Sequence, residues 1–245
     1  MEDQENKKSK PESTKKLDEI KNTASVAYGA GAIVGGVATA NPFLVASGAI
    51  GLFGGFLAPF MAKNRDKYFE ELRNDLDRLS SKVDGFTIEN ILSDDKVLSV
   101  ILQVYPVVIR TMEEEKLAFM RNIVLNTALK INIEDDLRSM YIQFVADLTP
   151  SHFRILKYFQ NPMKWLTEHN ISLGGVTATG RRTFLEQAIP ELKGRHDQFV
   201  ADLITRGLLL KGDWLNVIVS DFTSPMLTDM GKELLRFIET PSQMN

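Results

Sequence analysis

Residues 24–62 read ASVAYGAGAIVGGVATA (24–40), NP (41–42) and FLVASGAIGLFGGFLAPFMA (43–62). Together with Asn22 and Thr23 they form forty-one consecutive residues without a charged side chain, in a protein whose residues are 25% charged. As helices, the two apolar runs would each span roughly 25–30 Å, close to the hydrocarbon thickness of a bilayer. Asn41-Pro42 is a turn signal between them. The stretch therefore predicts a transmembrane helical hairpin over residues 24–62.

Cations flank the predicted hairpin on both sides, and the turn carries none. Lys21 precedes it, and Lys63, Arg65 and Lys67 follow it. Because positive flanks stay on the cytoplasmic side of a membrane, both ends of the hairpin are expected there, with the turn on the far side.

Small residues recur every four positions in both runs. Eight of the sixteen glycines lie in this stretch, although each would cost about 1 kcal/mol relative to alanine in a water-exposed helix. Stripes of small residues let helices approach closely in lipid. The residues predicted to pack membrane helices together are Ala27, Gly31, Gly35, Ser47, Gly51 and Gly55.

The two runs differ in how strongly they favour lipid. The second contains nine Leu, Ile, Val or Phe residues and the first contains four, and each such residue favours insertion by about 0.3–0.6 kcal/mol. The first run is therefore marginal by itself, which favours conditional or oligomeric insertion. A constitutive membrane anchor and a hairpin buried in a soluble core are the alternatives.

Composition limits the rest of the chain. The formal net charge of −3 provides no general attraction for nucleic acid, and the lack of cysteine excludes disulfides and thiolate sites. The start of the chain does not resemble a cleavable secretory signal. We predict a mainly α protein with a disordered tail (1–23), the membrane hairpin (24–62), a helical bundle (63–148) and a winged-helix-like domain (149–245).

The bundle prediction depends on helical periodicity. In a charged helix over 64–83, apolar residues recur at intervals of three and four; they are Phe69, Leu72, Leu76 and Leu79. This spacing fits either a coiled-coil seam or a helix that packs on its own domain. Residues 97–109 are apolar on nearly every side, which predicts a central core helix that Pro106 kinks.

The last third has the element order of a winged helix-turn-helix. Helices are predicted over 151–159, 163–169, 181–188, 196–206 and 229–238, with Thr149-Pro150 and Thr228 as helix starts. Apolar runs at 208–210 and 214–219 around Lys211-Gly212-Asp213 predict a β-hairpin.

The candidate recognition helix offers Arg195, His196 and Arg206 for binding a partner. Residues 149–245 hold eleven Lys or Arg and ten Asp or Glu residues, so the clustered basic face of a duplex binder is not visible. Protein recognition is favoured over nucleic-acid binding, and structural packing is the third interpretation.

No pattern of catalytic residues emerges from the sequence. None of His152, His169 and His196 has metal-ligand spacing to another, and no serine lies in a nucleophile-elbow pattern. The glycine-rich loop at 174–182 lacks the end of a phosphate-binding loop and is interpreted as a connector. We expect neither an enzyme nor a cofactor or metal.

Residues 113–160 resemble bacterial proteins of abortive phage infection and related defence loci. The similarity lies in EKLAFMRNIVLNTA (115–128), DDL (135–137) and FVADLTPSHFRIL (144–156). It implies a bacterial, cytoplasm-facing protein whose activity harms or arrests the infected cell, and it supplies no catalytic residues. Combined with the predicted hairpin, it gives an expected location at the bacterial inner membrane with cytoplasmic soluble domains. The expected function is a homo-oligomeric, pore-forming or depolarising effector that a phage protein triggers through the C-terminal region. The alternative is a membrane-anchored winged-helix regulator without pore activity.

Overall fold

The computed structural model describes residues 48–91, 93–171, 181–192, 194–211 and 225–244. This part of the chain is mainly helical, as the sequence predicts. The chain divides into two compact units, one comprising Met1–Ile142 and Thr240–Asn245 and the other Gln143–Glu239. In the sequence, the second unit therefore lies between the two parts of the first unit.

Helices α1, α3 and α4 form the centre of the first unit. Helix α3 packs on α4, and α1 packs on both. The bounds are α1 Gly48–Lys82, α2 Ile88–Ile91, α3 Asp95–Val108 and α4 Glu114–Ala128. Helix α5, Asp135–Asp147, begins in this unit and ends in the second. A 3-10 turn at Ser242–Met244 lies against α1, where the Lys82 ammonium donates to the carbonyl of Met244 at 3.1 Å.

The predicted heptad seam of α1 packs inside the first unit. Phe69, Leu72, Leu76 and Leu79 are all buried, together with Tyr68. The Phe69 and Tyr105 rings lie 6.4 Å apart between centroids, which joins α1 to α3. Packing within its own domain, the second interpretation of this spacing, therefore accounts for the buried face.

Helix α3 contributes much of the remaining core. Its buried residues are Val97, Val100, Ile101, Val104, Tyr105 and Val108, whereas Leu102 is 52% exposed. The helix is thus buried on a broad face rather than all round. Asp94 caps its start by accepting from the Lys96 amide at 2.8 Å.

The second unit is arranged around α6. Four helices pack directly on α6; they are α7, α8, α9 and α10. The bounds are α6 Pro150–Gln160, α7 Pro162–Glu168, α8 Arg181–Ala188, α9 His196–Thr205 and α10 Asp229–Ile238, with a 3-10 turn at Pro190–Leu192. The predicted helices of this region are present within one or two residues of their expected ends.

The prediction of a transmembrane hairpin was wrong. Among the described residues, no helix is both long and apolar enough to cross a bilayer. The second predicted run does not end at Ala62 but continues through Lys63 and Arg65 as one helix to Lys82. Its uncharged part within α1, Gly48–Ala62, has 15 residues and measures roughly 22 Å, below the ~30 Å of a bilayer core.

The prediction of a winged helix with a β-hairpin was also wrong. The described residues contain no strand, only an isolated antiparallel bridge between Leu209 and Leu227. Leu210 donates its amide to the Met226 carbonyl at 2.8 Å, so the run at 208–210 pairs with residues directly before α10. Four apolar residues are buried by this non-local pairing, which explains why it forms; they are Leu208, Leu209, Met226 and Leu227.

Several predictions fall outside the described residues. They are the tail at 1–23, the first apolar run at 24–40, the Asn41-Pro42 turn, the loop at 174–180 and the apolar run at 214–219.

Candidate functional site

Helix α1 changes composition at Lys63 without interruption of the helix. Its first 15 residues, Gly48–Ala62, carry no charge, whereas the following residues to Lys82 are rich in charge. We call Gly48–Ala62 the apolar segment of α1. An uncharged run that is part of a longer, partly buried helix is held in place by the remainder of that helix.

Helical periodicity sorts the apolar segment by residue size. With 3.6 residues per turn, the positions of the large apolar residues fall on one half of the helix circumference; they are Ile50, Leu52, Phe53, Phe56, Leu57, Phe60 and Met61. The positions of Gly51, Gly54, Gly55, Ala58 and Ala62 fall on the other half. Gly51 and Gly55, two of the predicted packing residues, thus lie on the small-residue side, and Ala27, Gly31, Gly35 and Ser47 lie outside the described residues.

A side chain of α4 and a backbone carbonyl of the α3–α4 connection hold the middle of α1. The Arg121 guanidinium pairs with Glu71 and lies 3.3 Å from the Asp75 carboxylate. Asn64 donates its amide to the Thr111 carbonyl at 3.1 Å. Together with the buried seam, these contacts fix α1 within one turn of the end of its apolar segment.

Cations lie at the junction of the two halves of α1, and carboxylates pair with two of them. Arg65 lies 3.0 Å from the Asp66 carboxylate. Lys63 is exposed, and the Lys67 ammonium lies 2.6 Å from the Glu114 carboxylate. This hydrogen bond to Glu114 raises the pKa of Lys67, so its charge is kept. Lys63 thus provides an exposed cation next to the apolar segment, a placement typical of helices that meet anionic lipid headgroups.

The three predicted partner-binding residues make contacts within the second unit. His196 is buried, and its Nε2 lies 2.9 Å from the Ile189 carbonyl oxygen. Arg206 lies between Asp202 and Asp147, at 3.2 and 3.4 Å, with its guanidinium over the Phe144 ring. Arg195 donates weakly to the Leu192 carbonyl at 3.4 Å. The structure does not bring these three residues together as one surface, and their role in binding remains a prediction.

A polar cluster at the start of α6 was missed by the sequence analysis. His152 Nδ1 lies 3.1 Å from the Thr149 amide nitrogen and 2.9 Å from the Thr149 hydroxyl, and His152 Nε2 lies 3.3 Å from the Asp202 carboxylate. A hydroxyl, an imidazole and a carboxylate in this order resemble the constellation of an activated nucleophile. The hydrogen bonds of the His152 ring do not allow it to activate the Thr149 hydroxyl as a nucleophile. Because the Thr149 N–H needs the Nδ1 lone pair as its acceptor, that lone pair is not free to remove the hydroxyl proton.

The cluster instead caps α6. Thr149 is the N-cap residue, and His152, three residues later, completes a capping box by accepting the Thr149 N–H. The neutral ring then carries its proton on Nε2, directed at Asp202. Burial lowers the pKa of His152, against an opposing effect of Asp202, so the ring is neutral at neutral pH.

Metal-binding chemistry has no support in this part of the chain. Among the residues that the structure describes, no three His, Asp or Glu side chains are placed to hold a metal ion together.

Comparison with known proteins gives no relative. No family model matches the chain, and neither a curated protein nor a solved structure matches it. The resemblance of residues 113–160 to defence proteins therefore depends on the quoted residues alone, and function must be inferred from physical features.

Proposed function

We propose that this protein is a non-enzymatic, membrane-active effector whose apolar segment of α1 contacts lipid at the bilayer surface. The observation that carries the proposal is the uncharged run of 15 residues at the start of a helix whose second half packs into the first unit through a buried seam. A run of this kind needs an apolar environment, and the anchored half of α1 determines where it is presented.

The energetics favour lipid as that environment. Moving one phenylalanine from water to hydrocarbon contributes about 1.5–3 kcal/mol, and the apolar segment contains Phe53, Phe56 and Phe60. Their sum, roughly 5–9 kcal/mol before ordering costs, is comparable to the affinity of a single acyl chain, which is marginal and reversible. Binding that can be switched by association of several copies suits an effector better than a permanent anchor.

The proposed setting is bacterial defence against phage, at the cytoplasmic face of the inner membrane. It is supported by the resemblance of residues 113–160. In this proposal a phage protein is the trigger, copies of the chain gather, and the apolar segments disturb the membrane barrier. A membrane-spanning hairpin is not part of the proposal, because no described helix can cross a bilayer.

Flotation of the full chain with vesicles of phosphatidylethanolamine and phosphatidylglycerol tests the proposal. The wild type should float with the vesicles. A variant that combines Phe53→Ser, Phe56→Ser and Phe60→Ser should lose at least about a hundredfold in its partition coefficient, because three large apolar side chains no longer favour lipid.

The matched control replaces apolar residues that are exposed elsewhere in the first unit. Leu102 is 52% and Met112 70% exposed, so Leu102→Ser with Met112→Ser removes apolar surface without touching α1, and its partition should not change. Equal loss in both variants, or a wild type that remains in the aqueous fraction as a stable oligomer, would contradict the proposal. The latter result would favour a contact between copies through the same segment.

A further inference from the structure

We propose that His152 makes the cap of α6 sensitive to pH: a proton taken up at Nδ1 breaks the capping hydrogen bond from the Thr149 amide and opens the start of the helix. The inference is independent of the proposed function, since it concerns the second unit alone. It depends on the geometry of one imidazole ring, both of whose nitrogens have assigned partners.

The capping bond needs a neutral ring. Nδ1 accepts from the Thr149 N–H at 3.1 Å, and a nitrogen that carries a proton cannot accept. A protonated Nδ1 would instead point a hydrogen at the Thr149 hydroxyl oxygen, 2.9 Å away. The Thr149 amide then loses its acceptor at the end of a helix where no backbone partner replaces it.

Charged groups at the end of α9 act on the ring. Asp202 of α9 lies 3.3 Å from Nε2, and the same carboxylate lies 3.2 Å from the Arg206 guanidinium. Arg206 in turn reaches Asp147 of α5 at 3.4 Å. The ring also lies against Phe199, with 4.5 Å between ring centroids. A positive His152 therefore competes with Arg206 for Asp202, so that protonation changes the contacts of α5 and α9 as well as the cap.

The direction of the pH dependence follows from the environment of the ring. Partial burial lowers the pKa of His152 below its usual value of 6.5, and Arg206 acts in the same sense, while Asp202 and the Thr149 backbone oppose both without reversing the direction. The unfolded chain therefore binds the proton more readily than the folded one. The stability of the second unit should be complete above about pH 6.5, fall as the pH decreases below that value, and level off once the folded form is also protonated.

Amide hydrogen exchange of the full chain, followed with the ring resonances of His152 between pH 8 and pH 5, tests the inference. The protection factor of the Thr149 amide should fall about fivefold as His152 titrates, the usual value of one helix cap. The decisive variant is His152→Gln, because glutamine at this position also accepts the capping hydrogen bond but does not titrate.

In His152→Gln, protection of Thr149 should stay high through the whole range. A second variant, Asp202→Asn, removes the carboxylate that favours the charged ring, so His152 should titrate at a lower pH than in the wild type. A protection step that persists in His152→Gln, or a wild type in which Thr149 protection does not follow the His152 titration, would overturn the inference. His169 and His196 are present in every variant, so neither residue can account for a difference between variants.

Discussion

Replacing Gly231 with alanine is expected to destabilise the second unit by roughly 3 kcal/mol, near the upper end of the effects of overpacking. A Cβ at this position would lie 2.3 Å from the Leu208 carbonyl oxygen, which is backbone and cannot move aside as a side chain could. The start of α10 cannot shift either. Thr228 donates its amide to the Leu208 carbonyl at 3.2 Å and its hydroxyl to the Gly207 carbonyl at 2.6 Å, and it caps the Gly231 amide at 3.0 Å.

Urea unfolding monitored by tryptophan fluorescence measures this effect, because both tryptophans, Trp165 and Trp214, lie within the sequence range of the second unit. Gly194→Ala is the matched control: Gly194 has a φ of +81° with no atom within 4 Å of an added Cβ, so it should lose only about 1–2 kcal/mol from left-handed strain. A Gly231→Ala variant as stable as wild type would show that α10 does not approach residues 207–208 as described.

Truncation of Leu72 to alanine should destabilise the first unit by about 3–4 kcal/mol, the usual cost of a fully buried leucine together with the cavity that it leaves. Leu72 is completely buried in the seam by which α1 packs on α3 and α4. Amide exchange protection of these three helices should fall together, because they share one core.

The control for this substitution is Leu102→Ala on α3. Leu102 is half exposed, so the same chemical change should alter stability by no more than about 0.5 kcal/mol. Similar losses in the two variants would contradict the assignment of the α1 seam to the core of the first unit.

Helix ends with strong local chemistry could be predicted from the sequence. Thr228 caps α10 through the Gly231 amide, and α8 and α10 have the bounds that capping and proline rules predict. These features depend on residues within one turn of each other. The buried seam of α1 was similarly accessible, because its three-and-four spacing is a property of the helix itself.

Features that depend on distant residues could not be predicted. The pairing of residues 208–210 with 226–227 joins segments on either side of a long connection, and the local turn signal at Lys211-Gly212-Asp213 suggested a neighbouring strand instead. The continuity of α1 through Lys63 was missed because a change in composition was interpreted as the end of a helix. Backbone hydrogen bonds continue through such a change when the second half is anchored by tertiary contacts.

The candidate site likewise combines features set by local sequence with features that depend on distant residues. Arg206 was selected as an available cation, but its partner Asp147 lies 59 positions away in sequence. His152 was missed although Thr149-Pro150 was recognised as a helix start, because glutamate or glutamine is the usual third residue of a capping box. The histidine three residues after Thr149 was the local signal from which this cap could have been predicted.

The central claim, that the apolar segment of α1 contacts lipid, is tested most directly with a fluorophore at one position within it. The chain has no cysteine, so Leu57→Cys accepts an environment-sensitive label at a single site, and Leu102→Cys provides the control on α3. With vesicles of phosphatidylethanolamine and phosphatidylglycerol, the label at residue 57 should shift to shorter emission wavelength and be quenched by brominated acyl chains, while the label at residue 102 does neither. Identical emission of the residue 57 label in buffer and with vesicles would contradict the claim.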